Sequence, residues 1–125
     1  MLEYPEKVTI SSTGGTSETW PSVLGVYKRT NMTHSGRPVW QSTARDDRYL
    51  FYNGSEKFCF SLQLRNVLFL GFYSVWIVHY EVDDNARGYI ISKKKGQTYI
   101  PVGGWQYSDG VGWPDDDTLS VTGNM

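Results

Sequence analysis

Cysteine is nearly absent. Cys59 stands alone among 125 residues, so no internal disulfide can form and a stapled scaffold is excluded. Long apolar runs are missing too. None approaches the roughly 18–20 residues that a membrane-spanning helix needs, and no membrane insertion is expected. Charge of one sign is not in excess: twelve Lys and Arg against thirteen Asp and Glu leave a net charge of -1. That balance supplies no global field for nucleic acid, which is not expected as a partner. Histidine is confined to His34 and His79, too few with one cysteine for a zinc site. Residues 1–7 carry acidic side chains and lack the apolar core of a signal peptide. The expected location is cytoplasmic if the chain is complete as given, and extracellular if it is a fragment of a secreted protein.

Large rings are what the sequence has. Aromatic residues make up 15% of the chain, with five Trp and nine Tyr, and a core of such rings buries much area per residue. Thirteen Gly and five Pro interrupt the chain often enough to favour short strands over long helices. Residues 36–52 read as strand, polar turn and returning strand, with Val39 and Trp40 on one arm and Tyr49, Leu50, Phe51 and Tyr52 on the other. Residues 7–12 read as an edge strand, 13–19 as a flexible polar connection and 30–36 as a loop. Residues 24–29, 75–82, 88–92, 104–107 and 118–122 read as further strands. The expectation is a single all-β domain over 1–125, compact over about 23–123. It is an antiparallel meander, sandwich or barrel of about six to eight short strands.

The spacing of Gly25-Val26-Tyr27, Gly36-Arg37-Pro38-Val39-Trp40, Tyr49-Leu50-Phe51-Tyr52 and Trp76-Ile77-Val78, followed by Gly88-Tyr89-Ile90, Gly104-Trp105-Gln106-Tyr107, Trp113, Asp117 and Leu119, resembles a small aromatic-rich β module. Such modules occur in extracellular mosaic proteins of cnidarians and other invertebrates, beside sushi, EGF-like and von Willebrand type A domains. The resemblance spans about residues 4–123. It implies a non-catalytic interaction or adhesion module, one unit of a larger matrix or cell-surface protein and tethered to other extracellular modules. In the pattern, the strand at 49–52 turns directly into the tryptophan strand. Here residues of about 57–74, dense in Phe and Leu and carrying Cys59, stand between them as an atypical insert: a misread intron, a splice variant or a tolerated excursion. Residues 49–52 are therefore expected to pair antiparallel with 75–80, and any helix to lie within 58–72.

Candidate chemistry is sparse. Trp105, Tyr107, Asp109 and Trp113 could stack on and orient a sugar, since rings supply rigid area and carboxylates bind hydroxyls. A core role competes for Trp40, Trp76 and Trp105, and this gives a lectin-like alternative in which the ligand is a glycan instead of a protein. Asp115, Asp116 and Asp117 form an oxygen-rich run of the kind that suits calcium; otherwise no cofactor is expected. A carboxylate hydrolase drawing on Asp46, Asp47 and Asp115 to Asp117 is a remote third reading. Nucleophilic chemistry by Cys59 is remoter still, and no catalytic residue is assigned. Asn31 and Asn53 head N-glycosylation triplets. Lys93, Lys94 and Lys95 could meet sulfated glycans, against the commoner role of a solvated hairpin end. Arg37, Arg45 and Arg48 are expected to pair with Asp46 and Asp47.

Overall fold

Strands buried at nearly every position must be covered on both faces, unlike strands that alternate. The Tyr49–Asn53 and Val75–His79 strands are of this kind: one is buried at four of five positions and so is the other. They lie at the middle of a single antiparallel sheet in a computed structural model that describes residues 4–54, 74–82 and 88–124. Its eight strands are β1 (Lys7–Ser11), β2 (Gly25–His34), β3 (Arg37–Ser42), β4 (Tyr49–Asn53), β5 (Val75–His79), β6 (Ile90–Ser92), β7 (Trp105–Tyr107) and β8 (Ser120–Asn124). They are ordered β7-β6-β5-β4-β3-β2-β1-β8 and curl into a nearly closed barrel.

The β3–β4 hairpin is where the sequence places it, with Trp40 opposite Leu50 and Gln41 opposite Tyr49. β4 then pairs antiparallel with β5, from Tyr49 opposite His79 to Asn53 opposite Val75. The proposal of an insert over 57–74 falls on residues outside those described, apart from Ser74. So do Cys59 and any helix within 58–72.

Several local expectations change. Residues 7–11 form an interior strand, not an edge, because β8 returns to pair along β1's other side. Tyr4, Val8 and Ile10 are buried in the main core, so the compact part begins well before residue 23. Residues 30–34 continue β2 instead of forming a loop. After a register shift between Arg29 and Thr33, Thr33 and His34 pair with Pro38 and Arg37. The turn itself is only Ser35 and Gly36, with φ of 52° and 79°, the left-handed pair that a two-residue hairpin turn of primed type requires. The polar connection at 13–19 contains a one-turn helix, α1 (Gly15–Thr19), followed by a 3-10 turn at Pro21–Val23. No apolar period signals α1. A carboxylate from across the chain holds it: the Thr16 N–H donates to Asp116 Oδ2 at 3.0 Å.

Alternation sorts the buried rings onto two faces. Inside the barrel, Trp40, Trp76 and Trp105 pack with Tyr27, Leu50, Val78 and Ile90. An indole N–H inside a core needs an acceptor, and each of the three finds one on a loop: Trp40 on the Pro5 carbonyl, Trp76 on Gln97 and Trp105 on Pro101. Outside, Val39, Phe51, Val75, Ile77 and Ile91 form a second buried cluster, against which Tyr49, Val82 and Trp113 pack.

The barrel closes through one short run of chain. The Tyr107 N–H reaches the Pro114 carbonyl at 3.1 Å and the Asp116 N–H reaches Trp105 O at 3.2 Å, so the approach to β8 binds β7 just before β8 binds β1.

Candidate functional site

The expected sugar platform does not assemble. Trp105 is 1% exposed, a core ring on the inner face of the sheet. Trp113 is half-buried against the outer-face cluster. The two tryptophans therefore face opposite sides of the sheet and cannot stack on one sugar. Tyr107 is half-buried and lies over α1, where a Cβ on Gly15 would overlap its hydroxyl. Asp109 is exposed but turned into its own loop. Its Oδ1 accepts the N–H groups of Val111 at 2.8 Å and Gly112 at 2.7 Å, and these bonds from Gly112 and Val111 hold its carboxyl below the usual range.

The aspartate run likewise faces different partners instead of one ion. Asp115 is exposed and bridges Lys93 Nζ at 2.9 Å and Gln106 Nε2 at 3.1 Å; Lys93 first and Gln106 second lower its carboxyl. Asp116 is buried. Its Oδ2 accepts from Ser12 Oγ and the Thr16 N–H, and its Oδ1 from the N–H and hydroxyl of Thr118. Burial alone would raise this carboxyl, but the hydrogen bonds from Thr118, Thr16 and Ser12 outweigh it and hold the group well below the usual carboxylate range. Asp117 is exposed. Among the described residues no group of three His, Cys, Asp or Glu side chains could hold a metal ion. Asp116 is thus a clasp tying β1, α1 and the lead into β8.

Other polar candidates are tied up in the same way. Asp47 pairs with Arg45 and Arg48, each at 3.1 Å, while Arg37 stacks 3.7 Å above the Tyr52 ring instead of pairing with aspartate. Arg48 is buried between Ser22 Oγ and the Tyr89 ring. His79 accepts the Gly88 N–H on Nδ1 at 3.2 Å, a satisfied half-buried strand residue. Of the two glycosylation triplets, Asn31 is exposed on β2, whereas Asn53 is 0% exposed. A folded chain cannot carry a glycan on Asn53, because that side chain belongs to the interior edge of the β4–β5 pair.

Two concavities flank residues 97–104, which join β6 to β7. On one side lies the seam beside β8, a cleft of about 200 Å³ lined by Tyr4, Pro5, Tyr99, Val102, Val121 and Gly123, among others. Tyr99 is 50% and Val102 59% exposed, and the Val102 carbonyl accepts the Val121 N–H at 2.9 Å. On the other side is a cleft of about 480 Å³ lined by Lys93, Lys94, Gln97, Pro101, Gly103 and Gly104. No family model, curated protein or solved structure matches the chain. The chemistry of these surfaces must therefore be read from the residues themselves. Tyr99 and Val102 are not among the residues singled out from the sequence. The overlooked signal was Pro101 followed by Gly103 and Gly104: a proline has no N–H for a ladder, so the apolar residues around it belong to a loop.

Proposed function

We propose that the chain is a non-catalytic interaction module whose ligand is an extended peptide segment of another protein, held at the seam beside β8. The observation that carries this reading is the pairing of Tyr99 and Val102, both more than half-way to full exposure or at it, in one cleft. Isolated exposed apolar residues need no explanation, but two that line a common concavity mark a contact surface. β8 is the last strand of the sheet beside that cleft, with the Val121 N–H already taken by the Val102 carbonyl. An extended peptide satisfies both features, its main chain pairing along a sheet edge and an alternate side chain filling the apolar hollow. The resemblance to extracellular mosaic modules agrees with an adhesive role outside the cell, within a larger protein.

The test is selection of phage-displayed random 12-residue peptides on the full chain. Enriched peptides should bind the parent and lose about tenfold or more in affinity to Val102→Asp, a charge placed in a desolvated contact. Thermal stability should hold, since a surface substitution of this kind stays within about 0.5 kcal/mol. Failure to enrich any peptide, or binders indifferent to both Val102→Asp and Tyr99→Ser, overturns the reading.

A further inference from the structure

A connected series of rings runs through the barrel to its surface. The ring centroids of Tyr52 and Trp76 are 5.4 Å apart, and those of Trp76 and Trp40 are 6.0 Å apart. Tyr4 meets both tryptophans, at 6.4 Å from Trp76 and 6.1 Å from Trp40. Tyr99 completes the series at 5.5 Å from Tyr4. Every step is an ordinary aromatic contact, and among aromatic side chains tryptophan and tyrosine give up an electron most readily. The two tryptophans are 0% exposed, Tyr52 6% and Tyr4 9%, whereas Tyr99 is 50% exposed. One short stretch fixes this outlet. The Gln97 carbonyl accepts the Trp76 indole N–H, the Thr98 carbonyl accepts the Tyr4 hydroxyl at 3.1 Å, and Tyr99 follows directly.

The groups around the series favour one end of it. The Arg37 guanidinium lies 3.7 Å above the Tyr52 ring, and a fixed cation there disfavours a second positive charge on the ring beneath. Trp40, Trp76 and Tyr4 all donate to peptide carbonyls. A carbonyl accepts a hydrogen bond but does not take the proton away, so an oxidised ring in the interior keeps its positive charge. Tyr99 differs: half exposed, it can release its phenolic proton to water and settle as a neutral radical. Tyr80 is as exposed, at 51%, but it stands outside this series. It meets His79 at 4.3 Å, and beyond His79 the Tyr89 ring lies under the Arg48 guanidinium.

We infer that Tyr99 is an oxidative modification site, the point where an oxidising equivalent taken up by Trp40 or Trp76 leaves the fold. There it cross-links to Tyr99 of a second copy of the chain as dityrosine. The oxidant is a one-electron acceptor of the metal-complex class. In each copy it removes one electron from a tryptophan, the vacancy passes through Tyr4, and Tyr99 loses its phenolic proton to water. Two Tyr99 radicals then couple. A carbon–carbon bond forms between the ring positions ortho to the hydroxyls, and the two ortho hydrogens move to the phenol oxygens. The sum is two electrons to two acceptors, two protons to water and one new covalent bond. Neither step requires a peptide in the adjoining seam.

The experiment excites tryptophan in the full chain with near-ultraviolet light, air excluded. Pentaamminechlorocobalt(III) is present as an irreversible one-electron acceptor. Dityrosine fluorescence should appear with a covalent dimer, and peptide mapping should place the bond at Tyr99 severalfold more often than at Tyr80. Tyr4→Phe keeps the ring but removes its oxidisable phenol, and should lower the Tyr99 yield severalfold. Tyr99→Phe, a surface change, should raise the irreversible loss of Trp40 and Trp76 severalfold, while Tyr80→Phe leaves that loss as in the parent. Absence of dityrosine, or cross-links concentrated on any other tyrosine, overturns the inference. So does a folded Tyr4→Phe chain that gives the parent's yield at Tyr99. If Tyr4→Phe fails to fold, Tyr99→Phe decides alone: unchanged loss of Trp40 and Trp76 removes the relay.

Discussion

Asp116 ties together stretches of chain about a hundred residues apart. It is 5% exposed and its two oxygens accept four hydrogen bonds, two from backbone N–H groups and two from hydroxyls. Replacing it with alanine strips the buried Thr16 N–H of its acceptor, so Asp116→Ala should cost about 1–3 kcal/mol in urea denaturation at pH 7. The pH dependence follows from the direction of its shift. The carboxyl sits below its unfolded value of about 3.9, so its contribution is fully present above about pH 5 and is lost as the pH falls through 4 and below. Asp116→Ala should therefore show a flatter decline in stability between pH 5 and pH 2 than the parent. At the same scale the sequence was legible for the core and not for the site. A large ring in a strand has few places to go but inward, and Trp40, Trp76 and Trp105 went there. An aspartate in an Asp-Asp-Asp run reads the same whether it clasps a helix, bridges a lysine or faces water. Only the partners, about a hundred residues away for Thr16 and Ser12, tell the three apart.

At the scale of elements, strand composition spoke clearly where the signal was local, as in the β3–β4 hairpin. The two-residue turn at Ser35-Gly36 was hidden in what read as a loop over 30–36, and the β4–β5 pairing was expected from the resemblance, with the register left to the structure. The interior position of β1 was not legible. It depends on β8, which is more than a hundred residues distant, and alternation in Lys7–Ser11 shows a strand without saying how many neighbours it has. α1 was invisible for a related reason: its five residues lack an apolar face and depend on a tertiary cap. The β5–β6 connection gives a direct test of element packing. Gly88 has φ +83°, and a Cβ on it would sit 2.5 Å from Ile77 Cγ1. Gly88→Ala thus combines a left-handed alanine, about 1–2 kcal/mol, with crowding of the outer cluster, about 1–3 kcal/mol. A loss of about 2–5 kcal/mol is expected in chemical denaturation, against almost none for Gly103→Ala, where a Cβ meets nothing within 4 Å.

For the whole molecule, the described structure is an all-β barrel with apolar residues buried on both faces of its central strands. Two clefts lie beside one connecting segment, and no helix among the described residues is long and apolar enough to cross a membrane. Burial at this scale decides between the two glycosylation triplets. If the chain is routed through the secretory pathway of a eukaryotic host, Asn31 should be modified and Asn53 should not. Mass spectrometry after glycosidase treatment would then show one mass step that Asn31→Gln abolishes. Occupancy of Asn53 in protein that melts cooperatively would contradict the buried position assigned to it.

The pairing of β1 with β8 also sets how the molecule answers a pull. Lys7 faces Asn124 at the same end of that ladder, so tension between these two residues loads its rungs one after another, not side by side. A ladder opened from its end yields at lower force than one sheared along its length. Pulled at those two residues, the barrel would release β8 first and widen the seam at Val102 and Val121; a peptide held there as proposed would then be gripped less firmly under mechanical load.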